Sequence, residues 1–260
     1  MNDFHDVRAV LCDMDGVLVH GSRIIPGAPE FLARLRSSGR RFLVLTNNSI
    51  YTTRDLQARL ARSGLELDAS EIYTSALATA QFLQSQRPNG SAFVIGETGL
   101  TNALYEVGYT QTEHDPDYVV IGETTAYSFE RITQAVRMVA AGARLIGTNP
   151  DVSGPSERGL VPACGAVVAL IQSATGGQAY FVGKPNPVMM RNALRTIDAH
   201  AVESMMIGDR MDTDIIGGTE AGMRTALVLT GITTRAEAER YPYRPTAIVE
   251  SVAELFVPAA

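Results

Sequence analysis

The stretch DMDGV, residues 13–17, follows a short apolar run, and together they predict the first strand of the fold. The run AVLC, residues 9–12, is partly β-branched and ends at Asp and Gly, which is typical of a buried parallel strand. Asp13 and Asp15 should therefore lie at the carboxyl end of a strand, the edge where open α/β sheets bind ligands. Because two carboxylates so close together repel each other, a divalent cation with oxygen ligands is expected beside them.

Composition sets the broad class of the protein. A length of 260 residues suits one large domain or two of modest size. The net charge of −6 argues against a nucleic acid polymer as partner, although a bound metal would still allow a small anionic ligand. Cys12 and Cys164 lie in apolar runs and are expected to be buried, reduced thiols.

Targeting features are missing from the sequence pattern. The first residues show no signal-peptide pattern, and no apolar run approaches the roughly 20 residues that cross a bilayer. We therefore expect a cytoplasmic protein with no membrane partner. The sequence leaves monomer and homo-oligomer open.

Apolar strand-like runs alternate with amphipathic helical stretches along most of the chain. This alternation predicts an α/β protein with a doubly wound, parallel-sheet (Rossmann-like) core. We place this core at residues 1–75 and 181–260, with a large α/β cap domain inserted at residues 76–180. Asn149–Pro162, rich in Pro and Gly, is predicted to be a polar loop, and Ile215–Ala221 a helix.

Four of the predicted strands deliver polar residues at their carboxyl ends, and these ends meet at one edge of a parallel sheet. Their side chains provide a nucleophile, metal ligands and donors for phosphoryl oxygens, which is the set that phosphoryl transfer needs. The residues concerned are Asp13 and Asp15, Thr46 and Asn47, Lys184, and Asp209 and Asp214.

Each of these motifs also has a structural interpretation. An Asp-Gly pair after a strand is usually only a turn, and Thr46 could merely cap the next helix. Lys184 could be a solvated loop lysine, and Asp212 a helix cap. Taken singly, these interpretations are favoured. Taken together, four polar strand ends favour a functional site.

The order DMDGV, a strand-end Thr46, Lys184 and GDRMDTD (residues 208–214) resembles the four motifs of the haloacid dehalogenase superfamily. Longer stretches are similar to its NagD-like branch of phosphatases, and this similarity runs from about residue 8 to 255. They include IIPGAPEFL (24–32), LTNNS (45–49), YFVGKPNP (180–187) and GDRMDTDI (208–215). The resemblance implies a doubly wound core with a large cap and hydrolysis of phosphate monoesters with Mg²⁺.

The resemblance also implies roles for individual residues. Asp13 would be the nucleophile that forms an aspartyl-phosphate, and Asp15 the acid and then the base. Lys184 would neutralise charge on the nucleophile and the phosphate, and Thr46 and Asn47 would hold phosphoryl oxygens.

The metal and the rest of the substrate would be held by residues that follow the later strands. Mg²⁺ would bind Asp13, Asp209 and the carbonyl of Asp15, with Asp214 orienting these ligands. The loop bordering the substrate would comprise Arg210, Met211, Asp212 and Thr213.

The substrate is expected to be a small phosphorylated metabolite. The resemblance favours nucleoside monophosphates such as UMP or GMP, with sugar phosphates or other small metabolites as the alternative. A phosphate-dependent switch or binding module is the non-enzymatic alternative, because receiver-like domains also combine Asp, Thr, Lys and Mg²⁺. Asn149, Asp151 and the loop to Pro162, which includes Val152–Leu160, are predicted to contribute to specificity from the cap, with a plain surface loop as the open alternative.

Overall fold

The computed structural model of the protein describes residues 4–156 and 159–257. Its strands are β1 (Ala9–Asp13), β2 (Val19–His20), β3 (Arg23–Ile24), β4 (Arg41–Thr46), β5 (Ile72–Thr74), β6 (Ser91–Ile95), β7 (Thr110–Gln111), β8 (Tyr118–Ile121), β9 (Arg144–Gly147), β10 (Ser153–Ser156), β11 (Gly159–Pro162), β12 (Ala179–Phe181), β13 (Ser204–Gly208), β14 (Arg224–Val228) and β15 (Ala247–Val249). Its α-helices are α1 (Ala28–Ser37), α2 (Thr53–Arg62), α3 (Ser75–Gln86), α4 (Thr98–Glu106), α5 (Phe129–Ala140), α6 (Cys164–Thr175), α7 (Pro187–Thr196), α8 (Ile216–Glu220) and α9 (Arg235–Ala238).

The described residues divide into two compact units. The core unit takes those within Met1–Thr46, Thr53–Tyr73 and Lys184–Ala260. The inserted unit takes those within Asn47–Thr52 and Thr74–Gly183. That the inserted unit acts as a cap stays a prediction.

The core unit is built on a six-stranded sheet in the order β15-β14-β13-β1-β4-β5. The ladders from β15 to β4 are parallel, and all five residues of β1 are buried. From β1 the chain builds outward to β4 and β5 on one side, and later to β13, β14 and β15 on the other. The order therefore reverses between β1 and β13, and the crevice at such a switch point is where open α/β sheets bind ligands. The predicted doubly wound core is confirmed.

Helix α1 illustrates why the helices of the core unit form where the sequence predicts them. Phe31, Leu32 and Leu35 are its buried stripe, at the spacing of one helical face. A proline occupies its first turn, where the missing N–H would have no helical partner. Among the described residues, none of the helices combines the length and the apolarity needed to cross a bilayer.

The inserted unit has its own five-stranded sheet, in the order β12-β9-β8-β6-β7, and all its ladders are parallel. Helices α5 and α6 cover this sheet with an apolar cluster that includes Phe93, Ile121, Leu145, Val168 and Ile171. A second α/β unit with a core of its own confirms the predicted fold class.

The predicted polar loop Asn149–Pro162 contains a hairpin instead, in which β10 and β11 pair in antiparallel fashion. Its composition hides the strands, because Gly and Pro favour turns and because exposed strands show no alternation of buried and exposed residues. Leu160, on β11, is 80% exposed. Residues 157 and 158, within the predicted loop Val152–Leu160, lie outside the described residues.

Candidate active site

Lys184, the only lysine of the chain, lies buried between two carboxylates of the core unit. Its Nζ is 2.6 Å from Oδ1 of Asp13 and 2.7 Å from Oδ1 of Asp214. Burial alone would lower the pKa of this amine, but the charges of Asp13 and Asp214 outweigh that effect and raise it. The side chain is therefore an ammonium, held at the end of β1.

Asp209 follows β13 directly and completes a buried cluster of three carboxylates. Oxygen atoms of Asp13, Asp209 and Asp214 all lie within 4.8 Å of one another. Oδ2 of Asp209 accepts a hydrogen bond of 2.7 Å from the N–H of Ile232, which fixes the carboxylate. We name these three aspartates the carboxylate cluster.

The electrostatics of the carboxylate cluster favour a bound cation. Burial, and then the charge of Asp214, raise the pKa of Asp209 to about 6. Burial also raises the pKa of Asp13 well above its ordinary value, although Lys184 opposes the shift. Three carboxylates beside one ammonium leave uncompensated negative charge when all are ionised. The donor set therefore fits a hard divalent cation with oxygen ligands, as predicted.

Two glycines allow the backbone to approach the cluster this closely. A Cβ on Gly208 would lie 2.1 Å from Cβ of Asp214, and one on Gly231 would lie 2.0 Å from Oδ2 of Asp209. No larger residue fits at either position without displacing a carboxylate. The sequence therefore uses glycine where a side chain of the cluster has to rest against the main chain.

The residues after Asp209 form a π-helical turn, Met211–Ile215, which leads into α8. The helix predicted from Ile215 is therefore preceded by this wider turn. Asp214 lies in the turn and points at Lys184, and its Oδ2 also accepts a hydrogen bond of 3.2 Å from the N–H of Arg210. Turns of this kind are rare and often found at functional sites.

The predicted substrate-bordering loop contains both an ion pair and buried side chains. Arg210 and Asp212 pair with each other, with nitrogen–oxygen distances of 3.0 and 2.9 Å. The side chain of Met211 is fully buried in an apolar cluster, so it does not border a substrate as predicted. Thr213 is also buried.

Asp15 and Thr46 complete the predicted set within the core unit. Asp15, two residues beyond Asp13, reaches solvent, yet the protein atoms around it still raise the pKa of its carboxyl above the ordinary value. A raised pKa suits a group that has to carry a proton for part of a reaction. Thr46 is the buried last residue of β4, at the same edge of the sheet as Asp13.

Three predicted residues meet in the inserted unit. Nδ2 of Asn47 donates to Oδ2 of Asp151 at 3.0 Å, and Nδ2 of Asn149 donates to the carbonyl of Asn47 at 3.0 Å. Oδ1 of Asn149 accepts from the N–H of Asp151 at 3.1 Å. The buried amide of Asn149 thus fixes the backbone around Asn47 and Asp151. Their roles toward a substrate stay predictions.

Some contacts of the site involve residues outside the predicted set. Oγ of Ser75 donates to the carbonyl of Asn47 at 2.6 Å in the inserted unit. In the core unit, Ile232 and Thr233 donate backbone N–H groups to Asp209. The stretch TGITT, residues 230–234, follows β14 as the other polar stretches follow their strands. The same pattern would therefore have identified it as a fifth polar strand end.

Two family models together match most of the chain. Residues 10–110 match a family described as haloacid dehalogenase-like hydrolase, and residues 181–255 match one described as HAD-hydrolase-like. The two matches contain Asp13, Thr46, Lys184, Asp209 and Asp214. A doubly wound core that carries this cluster at its switch point thus defines a haloacid dehalogenase-like hydrolase.

Two phosphatases and one solved structure are similar to nearly the whole chain. The chain is 56% identical to dihydroxyacetone phosphatase of Corynebacterium glutamicum (strain R), over 94% of this chain and 89% of that protein. It is 43% identical to ribonucleotide monophosphatase NagD of Escherichia coli (strain K12), over 96% and 99%. The solved structure of NagD from the K-12 strain superposes with a TM-score of 0.91 at 42% identity, covering 96% of this chain and 98% of that one.

The chain therefore belongs to the NagD family of haloacid dehalogenase-like hydrolases, and it is a phosphatase. Its relatives act on small phosphorylated metabolites. The buried cluster of Asp13, Asp209 and Asp214 is consistent with the metal site of these hydrolases.

Proposed function

We propose that this protein is a Mg²⁺-dependent hydrolase of small phosphate monoesters that acts through an aspartyl-phosphate on Asp13. The observation that carries the proposal is the position of Lys184, 2.6 Å from Asp13 and 2.7 Å from Asp214, beside a third carboxylate. An ammonium held there compensates charge on the nucleophile and on the phosphoryl group that approaches it. The comparisons favour an enzyme and give no support to a phosphate-dependent switch.

The first half of the reaction forms a bond between Asp13 and phosphorus. A carboxylate oxygen of Asp13 attacks, and the bond from phosphorus to the leaving oxygen breaks. Asp15 donates its proton to that oxygen, which departs as an alcohol. The raised pKa of Asp15 favours the protonated form that this step requires.

The second half returns the enzyme to its starting state. Asp15, now a carboxylate, takes a proton from a water molecule whose oxygen attacks the phosphorus. The bond from phosphorus to Asp13 breaks, and inorganic phosphate leaves. The proton taken from water leaves Asp15 as the acid again, so protons and electron pairs balance over the cycle.

Residues of the carboxylate cluster would hold the metal, with Asp13 and Asp209 as side-chain ligands and the carbonyl of Asp15 as a third. Asp214 lies within the same cluster and also binds Lys184, so it orients the group as a whole. When bound there, Mg²⁺ supplies positive charge to the phosphoryl oxygens and to the carboxylates. Thr46 and Asn47 are proposed to hold the remaining phosphoryl oxygens.

The names of two relatives support an order of candidate substrates. The relative at 56% identity is named a dihydroxyacetone phosphatase and the one at 43% a ribonucleotide monophosphatase. We therefore propose short sugar phosphates of the dihydroxyacetone phosphate type first, and nucleoside monophosphates such as UMP or GMP second. This ranking rests on sequence identity, because leaving-group preference varies on a shared fold.

A substrate panel tests both parts of the proposal. Phosphate release is measured from dihydroxyacetone phosphate, UMP, GMP and p-nitrophenyl phosphate, with Mg²⁺ and with EDTA. We expect phosphate release that depends on Mg²⁺, with the highest kcat/KM for dihydroxyacetone phosphate. A higher kcat/KM for UMP or GMP would reverse the substrate ranking. Release that persists in EDTA would contradict the metal-dependent mechanism.

A further inference from the structure

The π-helical turn Met211–Ile215 carries Asp214 into the carboxylate cluster, and its geometry requires support. Its wide hydrogen bond runs from the N–H of Ile216 to the carbonyl of Met211, five residues earlier. A π-helical turn is rare in proteins and is found mostly as a single turn within α-helices. Contacts from outside the turn are therefore candidates for what stabilises it.

Two side chains from outside the turn bind the backbone of its first residue. Oγ1 of Thr233 accepts a hydrogen bond of 3.3 Å from the N–H of Met211. The hydroxyl of Tyr243 donates one of 2.9 Å to the carbonyl of Met211. Both backbone groups of Met211 are thus held by residues that follow β14, more than 20 positions further along the chain.

The residues that follow β14 also bind Asp209, another member of the carboxylate cluster. The N–H of Thr233 donates to the carbonyl of Asp209 at 3.1 Å, and the N–H of Ile232 donates to its carboxylate at 2.7 Å. Thr233 therefore joins Asp209 to the start of the turn that carries Asp214. A shift of Met211 would change the separation of these two carboxylates and move Asp214 relative to Lys184.

We propose that Thr233 and Tyr243 are positioning residues that hold the π-helical turn at the register in which Asp214 meets Lys184 and Asp209. They touch neither the substrate nor the reacting atoms in this account, and they act through Met211. The inference rests on the proposed function, because it concerns how that metal and phosphate site is held. Side chains that orient metal ligands typically contribute strongly to metal affinity.

Two matched pairs of variants test this role in the full-length protein. Thr233→Val removes the acceptor oxygen, whereas Thr233→Ser keeps it. Tyr243→Phe removes the donor. Tyr241→Phe removes the hydroxyl of the neighbouring ring, whose centroid is 5.4 Å from that of Tyr243. The hydroxyl of Tyr241 makes no hydrogen bond among the described residues. If Thr233→Val fails to fold, the tyrosine pair still decides the question.

Four measurements apply to each variant. The dissociation constant for Mg²⁺ is measured by calorimetry, and kcat and KM on p-nitrophenyl phosphate at saturating Mg²⁺. The ¹³Cε resonance of lysine reports the environment of the ammonium without turnover, and with a single lysine it is one peak that needs no assignment. Melting temperature in EDTA confirms that each variant is folded.

We expect Thr233→Val and Tyr243→Phe each to weaken Mg²⁺ binding about 10-fold, the lower end of such effects. Both should shift the Lys184 resonance and lower kcat more than they change KM. Thr233→Ser and Tyr241→Phe should match the wild type within about 2-fold, because neither removes a hydrogen bond to Met211. Equal Mg²⁺ affinity and an unchanged Lys184 resonance in folded Tyr243→Phe would overturn the proposal.

The proposed function fails separately from this inference. A wild-type protein that binds Mg²⁺ but releases no phosphate contradicts the function, while the resonance and the binding constants still test the positioning role. A wild-type protein with metal-dependent release and variants that all bind Mg²⁺ alike contradicts only the positioning role.

Discussion

At the scale of single residues, Lys184 is the one position at which this chain uses an ammonium. Every other member of its 22 lysines and arginines is an arginine. An ammonium is a compact point charge, whereas a guanidinium is a planar fork that needs more room. With Nζ within 2.7 Å of two carboxylates and the side chain 3% exposed, the site has space only for the compact group.

Lys184→Arg tests whether size as well as charge matters. The guanidinium keeps the positive charge but cannot take the place of Nζ without displacing Asp13 or Asp214. We expect kcat on p-nitrophenyl phosphate to fall at least about 100-fold, the size of effect found when one stabilising donor is removed.

Lys184→Met removes the buried positive charge and tests its contribution to stability as well as to turnover. Loss of the ammonium leaves two buried carboxylates without their partner, which should lower the free energy of unfolding in EDTA by about 3–5 kcal/mol. Chemical denaturation measures it. Arginine and methionine variants with wild-type turnover would show that Lys184 lies outside the catalytic machinery.

Gly231→Ala tests the close approach of the backbone to Asp209. The added Cβ would lie 2.0 Å from Oδ2 of Asp209, so the carboxylate or the strand-end loop has to move. We expect the free energy of unfolding to fall by about 1–3 kcal/mol, as in other overpacked sites.

Gly154→Ala is the matched control, because a Cβ there meets no atom within 4 Å. Its free energy of unfolding should stay within about 0.5 kcal/mol of the wild type. Equal effects of the two substitutions would contradict the steric account of Gly231.

The candidate site residues could be picked out from the sequence because each lies at the end of a short apolar run. Asp13, Lys184 and Asp209 are recognisable by where they stand along the chain. Tyr243 is not, since its hydroxyl binds the carbonyl of Met211 across 32 residues and no local pattern marks the contact. Side-chain to backbone hydrogen bonds of this kind depend on the fold already being in place.

At the scale of elements, buried strands and amphipathic helices were predictable, and exposed strands were not. Strand β1 has five buried residues and a clear apolar run, whereas β11 is exposed along its whole length. Burial leaves a hydrophobic pattern in the sequence, and pairing alone does not. The π-helical turn at Met211–Ile215 was missed for a related reason, since its width depends on contacts from Thr233 and Tyr243.

The β10–β11 hairpin is predicted to help select the leaving group. Leu160, on β11, and Phe129, on α5, are both 80% exposed in the inserted unit, so they form a matched pair. We expect Leu160→Ser to change the ratio of kcat/KM between dihydroxyacetone phosphate and UMP by about 10-fold, the size of a changed apolar contact in a specificity site.

Phe129→Ser is the control for Leu160→Ser. Phe129→Ser should leave that ratio unchanged, and p-nitrophenyl phosphate should be hydrolysed at a similar kcat by both variants. A uniform loss on every substrate in Leu160→Ser would argue that the hairpin supports the fold instead of selecting the substrate.

At the scale of the whole molecule, metal binding and pH are coupled through the carboxylate cluster. The pKa of Asp209 rises from 3.8 to about 6 on folding without metal. Because the folded state then binds the proton more tightly than the unfolded state, this group stabilises the fold below about pH 4. That contribution is lost as pH rises to about 6.

A bound Mg²⁺ should therefore stabilise the protein more at pH 7.5 than at pH 5. The gain in melting temperature on adding saturating Mg²⁺ measures this difference, with EDTA as reference. Asp209→Asn removes one titrating ligand of the cluster and should reduce both the gain and its pH dependence, with Asp13 left as the other carboxyl of raised pKa. An equal gain at both pH values in the wild type would contradict the assignment of the metal site to this cluster.

The most direct test of the whole account is phosphate release from p-nitrophenyl phosphate and dihydroxyacetone phosphate by the wild type and by Asp13→Asn, each with Mg²⁺ and with EDTA. We expect release by the wild type only when Mg²⁺ is present, and none above background from Asp13→Asn, because the amide cannot form the aspartyl-phosphate. Metal-dependent release at wild-type rates from folded Asp13→Asn would contradict the central claim that Asp13 is the nucleophile.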